Sequence, residues 1–112
     1  MTLDWTSEFP CAITVVDALG TIVEMNAKAA DVFASDGGAG LVGTNVLECH
    51  PEPARTKLKQ LLDERRANLY TIEKDGVKKM ICQFPWFRDG KFSGLVELSI
   101  PLPAELPHFV RD

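Results

Sequence analysis

The chain has 112 residues, of which 46% are hydrophobic and 25% charged, and its 12 basic and 16 acidic side chains give a net charge of -4. This length is enough for one domain with a modest core and too short for two. The acidic balance argues against nucleic acid as a partner, because duplex binding depends on a clustered basic face. No apolar run approaches the roughly eighteen residues of a membrane helix, and the N-terminus lacks a secretory leader. The sequence therefore predicts a cytoplasmic protein that does not cross a membrane.

Three cysteines, Cys11, Cys49 and Cys82, lie far apart in the sequence and form no CxxC pair. The spacing favours neither a zinc site nor a thioredoxin-type redox site. We predict free thiols in a reducing compartment.

The first elements predicted are two short strands and a capped helix, preceded by a lead-in segment over residues 1–8. Residues 13–16 and 21–23 are rich in β-branched side chains, and an Ala-Leu-Gly turn separates them. Asn26 stands where a helix needs a side-chain acceptor for its free N–H groups. The residues after it, 27–34, are mostly helix formers and predict a helix.

The middle of the chain predicts a loop and then a longer helix. Residues 35–40 are too rich in glycine for a regular element, and residues 41–48 have room for one helical turn. Pro51 and Pro53 are tolerated in a first turn and mark the start of a helix that extends to about residue 67. Within it, Leu58, Leu61 and Leu62 form an apolar stripe surrounded by charged side chains.

The last third predicts a β-meander with strands at residues 69–73, 77–87 and 92–100, joined by the turns Asp75-Gly76 and Asp89-Gly90. Alternation in the last two strands separates two faces. In the first of these strands one face carries Met80, Cys82, Phe84 and Trp86, and in the second one face carries Val96, Leu98 and Ile100. We expect these two apolar faces to meet the helices, and we expect Ile81 and Phe87 on the other face to contribute to a dimer surface.

The residues after Ile100 form a proline-rich tail over residues 102–112, with Pro103 and Pro107 inside it. Proline cannot continue a helix, so no C-terminal signalling helix is predicted there. We expect the domain to report by contact with a partner.

The order strand, turn, strand and capped helix over residues 9–33 resembles the start of a PAS sensory domain. The stretch Asn45-Val46-Leu47-Glu48-Cys49-His50-Pro51 is similar to the Asn-Val-Leu-x-Cys-His-Pro-Pro segment of PAS modules in uncharacterised bacterial and archaeal proteins that also carry a hemerythrin-like domain. It departs from that pattern at the second proline, which falls at Pro53. The resemblance covers residues 9–101. It implies an α+β PAS fold, in which helices cover one face of a five-stranded antiparallel sheet.

The resemblance leaves the cofactor unknown. His50, held between Cys49 and Pro51, is a candidate haem ligand, although haem PAS domains carry their ligand inside the long helix, where this chain has Leu58. Flavin is not expected, because Val46 replaces the photoreactive cysteine that follows the matching asparagine in light-sensing PAS domains. No metal site is predicted, since two histidines give too few ligands.

A cavity between the helices and the sheet is the predicted ligand site. Its predicted lining is Val23, Phe33, Cys49, His50, Leu58, Leu62, Met80, Cys82, Phe84, Val96 and Leu98. A filled apolar core is the alternative interpretation of the same residues.

Two functions remain open at this point. The first is a stand-alone sensory module that binds a small apolar or haem-like ligand, a partner protein or both, and acts as a homodimer. A separate signalling protein would then receive its output. The second is a ligand-free dimerisation domain with a packed core. The sequence contains no catalytic motif, so we do not expect an enzyme.

Overall fold

The computed structural model describes residues 3–112, apart from the side chain of Cys49. The strands are β1 (Ala12–Asp17), β2 (Ile22–Met25), β3 (Asn68–Lys74), β4 (Val77–Arg88) and β5 (Lys91–Pro101). The helices are α1 (Ala27–Val32), α2 (Val46–Cys49) and α3 (Ala54–Glu64), and two 3-10 turns, Ala34–Asp36 and Gly38–Leu41, follow α1. No helix in this described part is long and apolar enough to cross a membrane.

The five strands form one antiparallel sheet in the order β2-β1-β5-β4-β3. The two predicted hairpin turns join the last three strands. At the second turn Asp89 has φ 52° and Gly90 has φ 77°, and at the first Asp75 has φ 53° and Gly76 has φ 78°. Two consecutive positive φ values are the geometry of a type I′ turn, whose twist matches that of the strands. The predicted α+β class with a five-stranded antiparallel sheet is confirmed.

The apolar core lies between α3 and one end of the sheet. Its buried members are Val16, Ile22, Val46, Leu61, Leu62 and Leu95. Leu61 is fully buried and Leu58 packs against the cluster, so the predicted stripe of α3 faces the sheet. Each such leucine contributes about 2 kcal/mol by leaving water. The helix ends at Glu64, earlier than predicted, because Arg65 adopts φ 55° and its guanidinium lies 5.0 Å from the centre of the Phe92 ring.

Asn26 fastens the N-terminal segment to the sheet and to α1. Its Oδ1 accepts hydrogen bonds from the backbone N–H of Ile13 (2.9 Å) and of Ala29 (3.0 Å), so the predicted cap is present. Its Nδ2 donates to the carbonyls of Thr6 (3.0 Å) and Cys11 (2.9 Å). Since the side chain is buried, these bonds satisfy an amide that water cannot reach.

Gly94 lets β5 pass close to β1. Its φ is 143°, and a Cβ atom at this position would lie 1.9 Å from the carbonyl oxygen of Val16. Trp86, which pairs with Gly94, reaches over it and donates from Nε1 to the same oxygen at 3.0 Å. Only glycine leaves room for this arrangement.

The two faces of the sheet are the reverse of the prediction. Directly paired residues in antiparallel strands share a face, and Glu97 pairs with both Thr14 and Gln83. This row lies two residues along β1 from Val16, which belongs to the core under α3. The helices therefore cover the face of Ile81, Gln83 and Glu97. The apolar set Met80, Cys82, Phe84, Trp86, Val96, Leu98 and Ile100 lies on the outer face.

Candidate ligand cavity

A cavity of about 330 Å³ lies between the sheet and the segment from α2 to α3. Its apolar wall comprises Val16, Val46, Ala54, Leu58 and Leu95. Two adjoining cavities, of about 570 and 350 Å³, share Thr14, His50 and Glu97 with it. These three residues therefore mark the place where the cavities meet.

The floor of the cavity is a row of four polar side chains, Thr14, Glu97, Gln83 and Asn68, which are register partners across β1, β5, β4 and β3. We call this set the polar row. Asn68 Nδ2 donates to Gln83 Oε1 at 2.9 Å, and Gln83 Nε2 donates to Glu97 Oε1 at 3.3 Å. Thr14 and Gln83 are only 9% and 7% exposed. The row is thus a directed chain of donors that ends on the Glu97 carboxylate.

Two hydrogen-bond acceptors of the polar row face the cavity. Among the described residues, neither the Thr14 hydroxyl nor the second carboxylate oxygen of Glu97 has a hydrogen-bond partner. Within the same residues, no side-chain nitrogen or oxygen is both sealed from solvent and unpaired. Both oxygens must therefore be reached from the cavity, since the backbone that carries them lies inside the sheet.

Burial raises the pKa of Glu97 above its ordinary value, because it disfavours the charged form. The hydrogen bond from Gln83 and the nearby His50 act in the opposite direction and are weaker. The pKa of Tyr70 is also raised, first by burial and then by the charge of Glu97. Tyr70 and His50 are therefore the titratable neighbours of the Glu97 carboxyl.

His50 lies at the C-terminal end of α2, on the helical side of the cavity. Its Nδ1 is 2.8 Å from the carbonyl oxygen of Val46. Because a carbonyl oxygen only accepts, Nδ1 carries the proton, and Nε2 is the acceptor of the neutral ring. The Arg55 Nε donates to the His50 carbonyl at 3.2 Å, which ties the residue to α3.

Some predicted site residues lie at the cavities. His50 and Leu58 line the first cavity, Phe33 lines the two adjoining ones, and Leu62 lies in the core beside them. Val23 is 47% exposed on β2 and lines none of the three. The predicted contribution of Cys49 concerns a side chain outside the described part of the structure.

The prediction is wrong for five residues, Met80, Cys82, Phe84, Val96 and Leu98, which lie on the outer face and not at the cavity. Alternation assigns the apolar side of a strand to the core only where the polar side meets water. Here the polar side faces the helices. It can do so because its amides and carboxylate are hydrogen-bonded to one another. The available signal was Gln83 between Cys82 and Phe84, and Glu97 between Val96 and Leu98, each a polar residue inside an apolar strand.

A metal centre receives no support from the geometry. Across residues 3–112, wherever side chains are described, no three His, Cys, Asp or Glu residues gather so as to hold a metal ion. Cys82 is buried and Cys11 half-buried, and both are free thiols.

Solved structures share this architecture. No family model and no curated protein matches the chain. The Aer2 receptor from Vibrio cholerae, a dual PAS-haem oxygen sensor, is 15% identical with a TM-score of 0.61, over 83% of this chain and 95% of that chain. The PAS domain of BvgS from Bordetella pertussis is 18% identical with a TM-score of 0.62, over 88% of this chain and 81% of that chain. This chain has the PAS fold.

A third structure, a C-terminal domain from Streptococcus mutans, is 21% identical to this chain with a TM-score of 0.69, over 86% of this chain and 78% of that chain. The PAS resemblance of the sequence is confirmed. The closer similarity to modules of hemerythrin-containing proteins stays a prediction, as do the boundaries of the lead-in, the domain and the tail. At these identities the likeness concerns the fold, and function must be argued from the site.

Proposed function

We propose that this PAS domain is a sensory module that binds a small ligand over the polar row and acts as a homodimer, with a separate signalling protein as the receiver. The observation that carries the proposal is the polar row itself, which lies beside an open cavity and of which Thr14 and Gln83 are buried. No catalytic step is part of the proposal.

The polar row favours a ligand site and argues against a packed structural core. A buried polar group left unpaired costs about 1–3 kcal/mol, so a purely structural core favours apolar side chains at such positions. This chain instead holds Gln83 and Glu97 in fixed orientations and leaves acceptors open to the cavity. The volume of about 330 Å³ is at the lower end of the range for ligand pockets. A small ligand with polar and apolar parts fits both features.

Haem fits these residues poorly. The Nε2 atom of His50 is free to ligate iron, because Nδ1 is held by the Val46 carbonyl. A porphyrin face, however, would be set against the polar row and would leave the Thr14 hydroxyl and the Glu97 carboxylate without partners. We therefore propose a ligand other than haem. This departs from the haem-like ligand that the sequence left open.

The ligand would act by shifting a population between two arrangements of the helices. A molecule in the cavity touches the sheet through the polar row and the helical side through His50 and Leu58. Its affinity would then differ between arrangements in which the segment from α2 to α3 lies closer to or farther from the sheet. A ligand that binds both arrangements equally would transmit no signal.

The outer face of the sheet is the proposed contact for a second copy. Leu69 is 52% exposed and Phe84 41% exposed on this face, beside the partly buried Val96 and Leu98. At one end of the face, the paired residues Glu73 and Lys78 carry opposite charges. A two-fold contact requires one patch that complements itself, and an apolar patch flanked by both charges meets that requirement.

Mass spectrometry of the purified protein tests the ligand proposal. Denaturation should release a small molecule from the wild type, with no Soret band in its absorbance spectrum. Leu58→Trp should abolish copurification by filling the cavity, whereas Leu19→Trp, the same change at a turn residue that is 77% exposed, should retain the molecule. Equal recovery from both variants, or wild-type protein without any bound molecule, would contradict the proposal in favour of the ligand-free dimerisation domain.

A further inference from the structure

We infer that the ligand of this cavity carries a protonated amine, held by Glu97 and Thr14, and an apolar body that packs on Val16, Leu58 and Leu95. The inference rests on the proposed function and adds the chemical class of the ligand. It follows from the kind of hydrogen-bonding atoms left open, from the charge around Glu97 and from the shape of the wall.

Both open oxygens can accept a hydrogen bond, and the Thr14 hydroxyl can also donate one. A carboxylate oxygen only accepts, and Gln83 already donates to one of the two oxygens of Glu97. The other oxygen and the Thr14 hydroxyl face the cavity without a partner among the described residues. An alkylammonium group brings three donors and no acceptor, so it complements this pair. Thr14 is 9% exposed, and its hydroxyl is reached through the cavity.

Among the described residues, Glu97 forms no ion pair with a lysine or an arginine. The ion pairs found among the described residues, Lys59–Asp63 and Arg66–Glu64, both lie on the surface. The groups around Glu97 are Gln83 on β4, Tyr70 on β3 and His50 after α2, while Lys57 on α3 lines the same cavity. Asp36 borders the adjoining cavities. A desolvated carboxylate without a fixed cation is costly, and a ligand cation would relieve that cost.

The neighbouring surfaces also suit an ammonium group on an apolar body. Tyr70 brings an aromatic ring to the side of the cavity where Glu97 lies, and the faces of aromatic rings attract cations. Beyond the carboxylate, the wall is aliphatic, and Val16 and Leu95 are buried. A short amine with one ring or a branched chain matches the cavity of about 330 Å³.

Calorimetric titration with three compounds of one shape tests the class of ligand. Benzylamine, benzyl alcohol and benzoate differ mainly in the group that would meet Glu97. We expect benzylamine to bind at least about tenfold more tightly than benzyl alcohol, since a hydrogen bond to a charged group is worth more than a neutral one. Benzoate should not bind, because two carboxylates would face each other.

Glu97→Gln should lower the benzylamine affinity by about tenfold or more, and Thr14→Val by about fivefold. Glu105→Gln removes the same charge from an exposed position in the C-terminal tail and should leave the affinity unchanged. Benzylamine affinity should also fall as acid protonates Glu97, and this pH dependence should be absent in the Glu97→Gln variant.

The possible outcomes distinguish failure of the proposed amine ligand from failure of the proposed ligand cavity. One such outcome is that benzyl alcohol or benzoate binds at least as tightly as benzylamine and loses this binding in Leu58→Trp. That result would contradict the amine as the ligand class and would agree with the proposed ligand cavity. Failure of benzylamine to bind, or unchanged affinity in Glu97→Gln, would also overturn the amine. Preference for benzylamine that is lost in Glu97→Gln and retained in Glu105→Gln would support it.

Discussion

The side-chain amide of Gln83 donates a hydrogen bond to the carboxylate of Glu97 across 3.3 Å, on the face of the sheet that the helices cover. Asn68 fixes the orientation of that amide by donating to its oxygen at 2.9 Å. Because the amide has only one orientation that satisfies both neighbours, Glu97 receives a donor at one oxygen and keeps the other for the cavity. The two hydrogen bonds join the buried Gln83 and the half-buried Asn68 and Glu97 into one oriented polar surface.

Glu97→Gln should change how stability depends on pH. Burial raises the pKa of Glu97 in the folded protein above the ordinary value of 4.5, so the folded state keeps this proton to higher pH than the unfolded chain. The stability linked to Glu97 is then complete below the ordinary pKa and is lost as pH rises through the raised one, by about 1.4 kcal/mol for each unit of elevation.

Urea unfolding from acid to neutral pH measures this effect. The free energy of unfolding of the wild type should fall relative to that of Glu97→Gln as the pH rises above 4.5. Glu105→Gln, at an exposed position in the C-terminal tail, serves as the control and should show no such trend. A constant difference between the wild type and Glu97→Gln across this range would refute the raised pKa.

Asn26→Ala should destabilise the protein by about 3 kcal/mol, through loss of a helix cap together with a buried N–H left unpaired at Ile13. Asn45→Ala removes the cap of the shorter helix α2, where Asn45 accepts from Leu47 N–H at 2.8 Å, and should cost about 1 kcal/mol. Equal losses for the two variants in urea unfolding would mean that the bonds of Asn26 to the N-terminal segment contribute nothing.

Gly94→Ala should prevent stable folding or cost more than about 3 kcal/mol, because its Cβ would meet the Val16 carbonyl oxygen at 1.9 Å and its φ of 143° suits only glycine. Gly40→Ala is the matched control, since nothing lies within 4 Å of its added Cβ. We expect that variant to stay within about 0.5 kcal/mol of the wild type. Thermal unfolding followed by circular dichroism distinguishes them, and a folded Gly94→Ala protein of wild-type stability would show that β1 and β5 do not approach so closely.

Phe84→Glu should weaken the proposed homodimer by about tenfold or more, because it places a charge in the middle of an apolar contact. Leu19→Glu introduces the same charge at a turn residue that is 77% exposed and should leave association unchanged. Sedimentation equilibrium gives both dissociation constants. A wild type that stays monomeric, or a Phe84→Glu protein that associates normally, would contradict the outer face as the dimer contact.

Local signals in the sequence predicted most of the fold. Asn26 identified its helix through capping chemistry, and Asp75-Gly76 and Asp89-Gly90 identified the two hairpins, because each of these residues satisfies a requirement of its own backbone. The length of α3 was harder to predict. Its last turn depends on Arg65, whose guanidinium lies over Phe92 on a distant strand.

The face of the sheet could not be predicted from alternation alone, and the candidate site was misplaced for that reason. Both sides of β4 and β5 carry apolar residues, so the pattern at Met80, Cys82 and Phe84 is as compatible with an outer surface as with a core. What decides between them is the pairing of β5 with β1, which aligns Leu95 with the buried Val16 and Glu97 with Thr14. That pairing joins the two ends of the chain and leaves no local signature.

The side-chain amide signals of Gln83 and Asn68 in a two-dimensional ¹H-¹⁵N NMR spectrum test the ligand cavity most directly. The polar row holds both amides at the cavity floor, so titration with benzylamine should shift both signals in a saturable manner, and Glu97→Gln should move the midpoint of the titration to about tenfold higher concentration or more. The backbone amide of Gly90, in the turn between β4 and β5, should stay in place. Shifts confined to the outer face, or unmoved Gln83 and Asn68 side chains at saturation, would contradict a ligand site over the polar row.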